Sequence, residues 1–559
     1  MRVVDGHFKK HLLYGIGLGS VFLGTLALIG CPPPPGDFGD ADDDDSDDPS
    51  TIVYDCDGEG TQPPEADYSI SGVVTYDYVP QGDLGSGLDY ASTERRPIRH
   101  ARVVLISSWD CSEIAETTSD ESGAYRFDYT GPANVRLWVY AETTDPPIRV
   151  EDNTADDAVY VYQSDAVNAA ETSTLNANAG SGWGGGSYTS PRNAAPFSIL
   201  DAAYEAAEKF LDETSSPPDF PLCILNWSVK NRASNSFDVS TGEIVTSHWD
   251  GSEMYILGDA DSDTDEYDTD VIVHEWGHYF ESTLGRSDSI GGSHSSGYIL
   301  DPRVAFGEGW GNALSAIVHD PDTVYSDSYG PSQATSFGFD LETNNRSLAD
   351  APGWYSEDSI NAILFDLYDD ADETMDDVAL GLDPIYQVMI GAQKNTPALT
   401  TIFSFISALK EAEPDAADAI DALVTWHTYD GDYGFDVITD EWGSGESHDA
   451  GAGSNVPVYH KVDIGDSVDI TFAGGQDYNW WHSNRYLYFE GNGSKVDISS
   501  SASVDVDIYV QHEGEYLAAA ESAGGNEHVS VLTKEGEIYV VNVLGWTNQT
   551  NYTATIDIE

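Results

Sequence analysis

The sequence has 559 residues, enough for about three folded units of ordinary size. Its 98 acidic residues against 23 basic ones give a formal net charge of −75, a field that repels nucleic-acid phosphates and anionic membrane surfaces. Nucleic-acid binding is thereby excluded, and solubility in salty or crowded surroundings is favoured.

The first thirty residues carry a basic start (Arg2, Lys9, Lys10) and an apolar run from Leu12 to Ile29, followed by Cys31. This is the layout of an export signal. Gly15, Gly17, Gly19 and Gly24 interrupt the run and no second apolar stretch follows, which disfavours a stable spanning helix. Leu28-Ile29-Gly30-Cys31 resembles the lipobox of bacterial lipoproteins. The resemblance implies that residues 1–31 are a signal ending at a lipidated Cys31, and that the chain is exported and anchored to the bacterial envelope or outer surface. The alternative is an ordinary cleaved signal with a free cysteine. Residues 32–66, opening PPPPGDFGDADDDDSDDPS, have stiffening prolines and mutually repelling aspartates and read as a stalk. Of the remaining cysteines, Cys56, Cys111 and Cys223, an oxidising compartment allows at most one internal bridge; Cys56 with Cys111 is the favoured pair.

Residues 67–175 alternate apolar and polar positions in SISGVVTYDYV, ARVVLISSW, GAYRFDY and NVRLWVYAE, a small antiparallel β-sandwich. The order of these segments resembles the transthyretin-like regulatory domains beside secreted carboxypeptidases, which implies an accessory role. The Gly-rich residues 176–193 read as a linker. Over 194–450 the period changes to that of helices, predicted in PFSILDAAYEAAEKFLDET, DTDVIVHEWGHYFESTLG, DPRVAFGEGWGNALSAIVHD, DSINAILFDLYDDAD, DPIYQVMIGAQ and LTTIFSFISALKEAE. This is a mainly helical domain with a small β subdomain. Strands return over 456–559, a second sandwich. Its closing EIYVVNVLGWTNQTNYTATID resembles the pre-peptidase C-terminal domains of secreted bacterial proteases; an immunoglobulin-like adhesion module is the alternative.

The middle domain contains His274-Glu275-Trp-Gly-His278, an HExxH motif inside a predicted helix from Asp268 or Thr269 to Gly285. Positions four apart share a helical face, so both imidazoles point at one spot. Glu275, one residue after the first ligand, stands beside the metal as a general base rather than on it. A catalytic zinc takes three protein ligands, so a third is needed downstream. A metzincin continuation is excluded, because Glu281 and Leu284 stand where that motif requires glycine and histidine. His294 lies in the flexible GGSHSSG and suits a cleft wall better than a rigid ligand. Glu308 is preferred. It lies in a helix started by Asp301 as N-cap and Pro302 at the first turn, and Gly307, Gly309 and Gly311, costly in a helix, point to close packing on the metal helix. Asn312, one turn later, is placed to orient a ligand histidine.

Here the chain resembles the gluzincin zinc metallopeptidases, the thermolysin-like and fungalysin-like group, in which an HExxH helix and a glutamate on the next helix hold zinc. The resemblance covers roughly residues 190–430. It implies an α+β zincin-like domain between two antiparallel β-sandwiches, with Zn²⁺ as cofactor and a protein or peptide as substrate. Where the group has an acid four residues after the glutamate, this chain has Asn312. Glu357-Asp358-Ser-Ile-Asn-Ala-Ile-Leu-Phe-Asp366-Leu-Tyr368 is similar to a fungalysin stretch preceded there by a histidine; here Trp354 and Tyr355 precede it. Tyr355 is assigned as oxyanion donor, with His294 as rival.

Ser252–Gly258 reads either as an edge strand for an extended substrate or as a plain core strand. The alternating Asp259, Asp261, Asp263 and Asp265 suit Ca²⁺, although Thr264 replaces the turn glycine of an EF-type loop; a solvated acidic loop is the alternative. The function these features predict is metal-assisted hydrolysis of extracellular proteins by a monomeric peptidase, an endopeptidase in preference to the exopeptidase that stays open as the alternative. Its rivals are a surface adhesin with an inactive peptidase-like domain, and a structural zinc protein, which would have no use for Glu275.

Overall fold

The computed structural model describes residues 64–234, 236–260, 262–342, 352–370, 377–428, 437–448, 456–474, 477–547 and 551–559. The expected signal with Cys31, Cys56, and Asp261 lie outside them. Cys111 is disulfide-bonded and Cys223 is a buried free thiol.

The alternating N-terminal text forms seven main strands: β1 (Ala66–Tyr78), β2 (Glu94–Pro97), β3 (Ala101–Ser107), β4 (Glu113–Thr118), β5 (Ala124–Gly131), β6 (Asn134–Thr144) and β7 (Pro147–Asp152). β1 pairs antiparallel with β2 and with β5. β6 pairs antiparallel with β3, on which β4 follows, and with β7. Ile70, Val74 and Phe127 of the first sheet and Val103, Leu105, Leu137 and Val139 of the second are buried in a shared core, as expected when one face of each sheet turns inward.

The boundary expected at 176–193 does not separate two sheets. Ala177–Ala179 runs parallel to β1, and β8 (Cys223–Trp227) joins β7 in parallel, Leu225 opposite Val150. β9 (His248–Trp249) and β10 (Met254–Ile256) extend the same sheet in the order β9-β10-β8-β7-β6-β3-β4. The predicted linker therefore contributes a strand to the β1 sheet, while the other sheet of the sandwich runs on through β8 into the helical region. Ser252–Gly258 is not the sheet edge either, because β9 pairs outside β10.

Seven α-helices lie among the described residues: α1 (Ala195–Glu213), α2 (Thr269–Thr283), α3 (Pro302–His319), α4 (Glu357–Asp366), α5 (Leu382–Ile390), α6 (Ile402–Ala412) and α7 (Ala417–Thr428). α2 and α3 are buried on most sides, packed between other elements. Phe210 of α1, Trp276 and Phe280 of α2, and Trp310 of α3 form one aromatic cluster with neighbouring centroids 4.6–6.1 Å apart. A hairpin of Val324–Tyr329 and Thr335–Asp340, named β11 and β12, packs against the start of α2. Backbone N–H of Ser326 donates to Asp270 at 2.9 Å, and Ser328 Oγ donates to Asp268 at 2.7 Å.

Residues 456–559 form a five-stranded and a four-stranded sheet around a separate apolar core that includes Phe472, Leu487, Ile498, Val541 and Ile556. Overall the molecule comprises several β-sheet units, mostly sandwich-like, with few helices. None of the described helices is long and apolar enough to cross a membrane.

Candidate metal centre

α2 begins after Asp268 and presents His274 and His278 one turn apart. α3 begins where expected: Asp301 accepts from Arg303 N at 3.0 Å as the N-cap, and Pro302 takes the first turn. The two helices approach closely enough that a Cβ on Gly311 would sit 2.7 Å from His274 Nδ1, and one on Gly277 would sit 3.2 Å from Gly311 Cα. Gly309 answers to a different neighbour. Its Cβ would lie 2.5 Å from Ile360 on α4, so the costly glycines serve contacts on two faces of α3 rather than one.

That approach brings four side chains to one point. Glu308 Oε2 lies 3.2 Å from His274 Nε2, 3.4 Å from His278 Nε2 and 3.3 Å from His294 Nε2. The two α2 nitrogens are 3.2 Å apart. Ligands about 2.0–2.2 Å from a tetrahedral zinc stand about 3.3 Å from each other, so the separations fit that ion. The tautomers fit as well. His274 Nδ1 is 2.8 Å from Asn312 Oδ1 and His294 Nδ1 is 2.7 Å from Glu357 Oε2. Both acceptors hold a proton on Nδ1, so that in the neutral ring the Nε2 lone pair faces inward.

The electrostatics point the same way. Burial disfavours charge on His278 and His294, yet the Glu308 carboxylate outweighs it and pushes them up to about 9 and about 10. Burial alone would raise Glu308; His294 and His278 instead hold it well below the usual carboxylate range. Without a metal, the cluster gathers protons around a buried carboxylate, the balance a dication would otherwise supply.

Glu275 stands beside this group. A carboxylate oxygen of Glu275 lies within 4.8 Å of the His274 and His278 ligand nitrogens, and Oε2 accepts from Trp249 N at 2.8 Å. The general-base candidate is thus fixed to edge strand β9. His294 sits on the segment between α2 and α3, which the C-terminal sandwich clamps: Asn479 Nδ2 donates to Ser293 O at 2.8 Å, and Asp301 N donates to Asn479 O at 2.8 Å.

Tyr355 is placed elsewhere. Its ring is 2% exposed, packed on Trp354 and His448, and its hydroxyl donates to Pro352 O at 3.2 Å. Its rival His294 lies at the cluster itself, 3.3 Å from Glu308. Of the acidic loop, Asp263 and Asp265 come together with Asp327, a residue of β11, whereas Asp259 belongs to the strand opposite Asp263 and outside that group.

One consequence concerns Asn312. Removing its side chain leaves the buried His274 Nδ1–H without its acceptor and the ring free to turn. Asn312→Ala is expected to weaken zinc binding about 10–100-fold, read by competition against a chromogenic chelator.

No family model and no curated protein matches the chain. Among solved structures, part of it is similar to the pre-peptidase C-terminal domain of a collagenase from Bacillus anthracis, at 17% identity over 19% of this chain and 100% of that one, TM-score 0.16. Others are CorA, a surface-associated copper-binding protein of Methylomicrobium album BG8, at 10% identity, 18% and 96% coverage and TM-score 0.16, and PliG, a periplasmic inhibitor of g-type lysozyme from Salmonella Typhimurium, at 16% identity, 18% and 98% coverage and TM-score 0.14. Each likeness spans less than a fifth of the chain.

Proposed function

We propose that the protein is a zinc-dependent peptidase of the gluzincin type, with an α+β zincin-like domain carrying the reaction, and that it cleaves extracellular proteins as an endopeptidase. The observation that carries this reading is the convergence of His274, His278 and Glu308 at 3.2–3.4 Å, with the Glu275 carboxylate alongside. His274, His278 and Glu308 would hold the zinc. Bound there, the ion supplies Lewis acidity toward the scissile carbonyl and the attacking water. Glu275 takes the water proton and delivers it to the leaving amine, and its bond to Trp249 N fixes the carboxylate for that transfer. His294, its Nδ1–H held by Glu357 and its Nε2 protonated in the imidazolium form, donates from Nε2 to the developing oxyanion from the clamped segment. The lipobox-like Leu28–Cys31 supports export and a lipid anchor on the bacterial envelope, with the membrane touched only through that lipid.

A second reading follows from one distance. His294 Nε2 lies 3.3 Å from Glu308 Oε2, close enough to be a fourth ligand and close the site as a structural zinc would. His294→Ala separates the two. In a peptidase it keeps its zinc and cleaves casein at least tenfold more slowly; in a closed site it loses the ion. The assay uses the full chain, because β8 pairs with β7 and truncation before residue 194 would strip that sheet. Casein cleavage abolished by a zinc chelator and restored by added Zn²⁺ supports the proposal, and cleavage indifferent to chelation refutes it.

A further inference from the structure

We propose that Asp263, Asp265 and Asp327 form a second cation site, a calcium site, that joins the loop before α2 to hairpin strand β11. One carboxylate oxygen from each lies within 4.8 Å of the other two. Asp263 and Asp265 are 5% and 3% exposed, and Oδ1 of each is buried with no hydrogen-bond partner. A buried carboxylate oxygen normally finds a donor or a cation. Here the second oxygen of Asp265 accepts from Ser247 Oγ, so the orphaned atoms are the ones left for a ligand. All three donors are oxygens, the ligand type that Ca²⁺ selects and zinc or copper does not require.

The charge around them is uncompensated. Asp268, fully buried, contributes a fourth carboxylate, its oxygens held by Ser328 Oγ and Gln81 Nε2. Asp270, facing Asp327, is paired with His319 at 2.8 Å, and Glu266 is paired with Arg192 at 2.9 Å. Among the described residues no basic side chain forms an ion pair with Asp263, Asp265, Asp268 or Asp327. Burial together with these neighbours raises Asp263, Asp265 and Asp268 well above the usual range, and burial with Asp270 pushes Asp327 up to about 7.

The site is independent of the zinc assignment, and its test reads binding and melting rather than cleavage. The full chain, freed of metals and given one equivalent of Zn²⁺ or none, is titrated with Ca²⁺ alone and melted with and without millimolar Ca²⁺ around pH 8. The expected result is one Ca²⁺ per chain and a raised melting temperature in both zinc states. Asp327→Asn relieves the repulsion, so it should melt higher than wild type without Ca²⁺, bind Ca²⁺ at least tenfold more weakly and lose most of the calcium-dependent rise; Asp263→Asn is the second variant, with the same expectation. A wild type whose melting ignores Ca²⁺ would mean that the cluster merely shares protons, and the proposal fails. It fails equally if both variants bind Ca²⁺ as wild type does.

Discussion

Glu275→Gln is expected to keep one zinc per chain and to lower casein hydrolysis by about 10²–10⁴-fold, the usual contribution of a positioned general base. The substitution is nearly isosteric. Its amide oxygen still accepts from Trp249 N, the bond that ties α2 to β9 in the wild type, so fold and cleft survive. What disappears is the ability to take a proton. His274, His278 and Glu308 are untouched and their separations of 3.2–3.4 Å remain, so metal content should not change. The measurement is a pair: zinc per chain, and initial rate at saturating substrate. Zinc retained with the rate lost assigns the base to Glu275. Cleavage within a few-fold of wild type would remove Glu275 from the mechanism while leaving the metal centre intact.

Arg303→Met is expected to cost about 3–5 kcal/mol of stability, because it strands a buried charge. Arg303 and Asp301 are both fully buried, joined by two contacts of 2.9 and 3.0 Å. Tyr486 of the C-terminal sandwich donates to the same carboxylate, and Arg303 Nη2 reaches Asn542 at 3.3 Å. The pair welds α3 to the sandwich. Five residues along α3, about 140° around the helix at 100° per residue, Glu308 faces the opposite way toward α2. The weld thus sets the position of Glu308 without touching it. The double variant Asp301→Ser/Arg303→Met keeps an N-capping hydroxyl and leaves no unpaired charge, so it should be less destabilised than the single. Thermal melts compare the two, with the single variant lowered on the order of 10 °C. A double variant worse than the single would show that the pair owes its place to shape rather than charge.

Much of the site was legible because it is built from local periodicity. HExxH specifies its own geometry once a helix forms, Asp301-Pro302 marks the start of α3, and the glycine cluster on it points to Glu308, with Asn312 one turn on. The parts that were not legible depend on residues distant in sequence. His294 reads as part of a loose Gly/Ser segment until Asn479, 186 residues away from Ser293, clamps it. Asp327 lies in VYSDSY, too polar and too short to announce a strand, and only the hairpin brings it to Asp263 and Asp265. Tyr355 was a reasonable oxyanion donor by its place in the sequence, yet local packing sends its hydroxyl to Pro352. The continuous sheet was hidden for a similar reason: β7 and β8 are parallel partners separated by a helix and a Gly-rich stretch, and parallel pairing over such a gap leaves no local signature.

The most direct test of the zinc centre is metal content by equilibrium dialysis and elemental analysis of the full chain, beside Glu308→Ala. The wild type is expected to hold one zinc tightly and the variant to lose it, together with all cleavage. A wild type that takes up no zinc, or a Glu308→Ala chain that holds it undiminished, would contradict the zinc assignment.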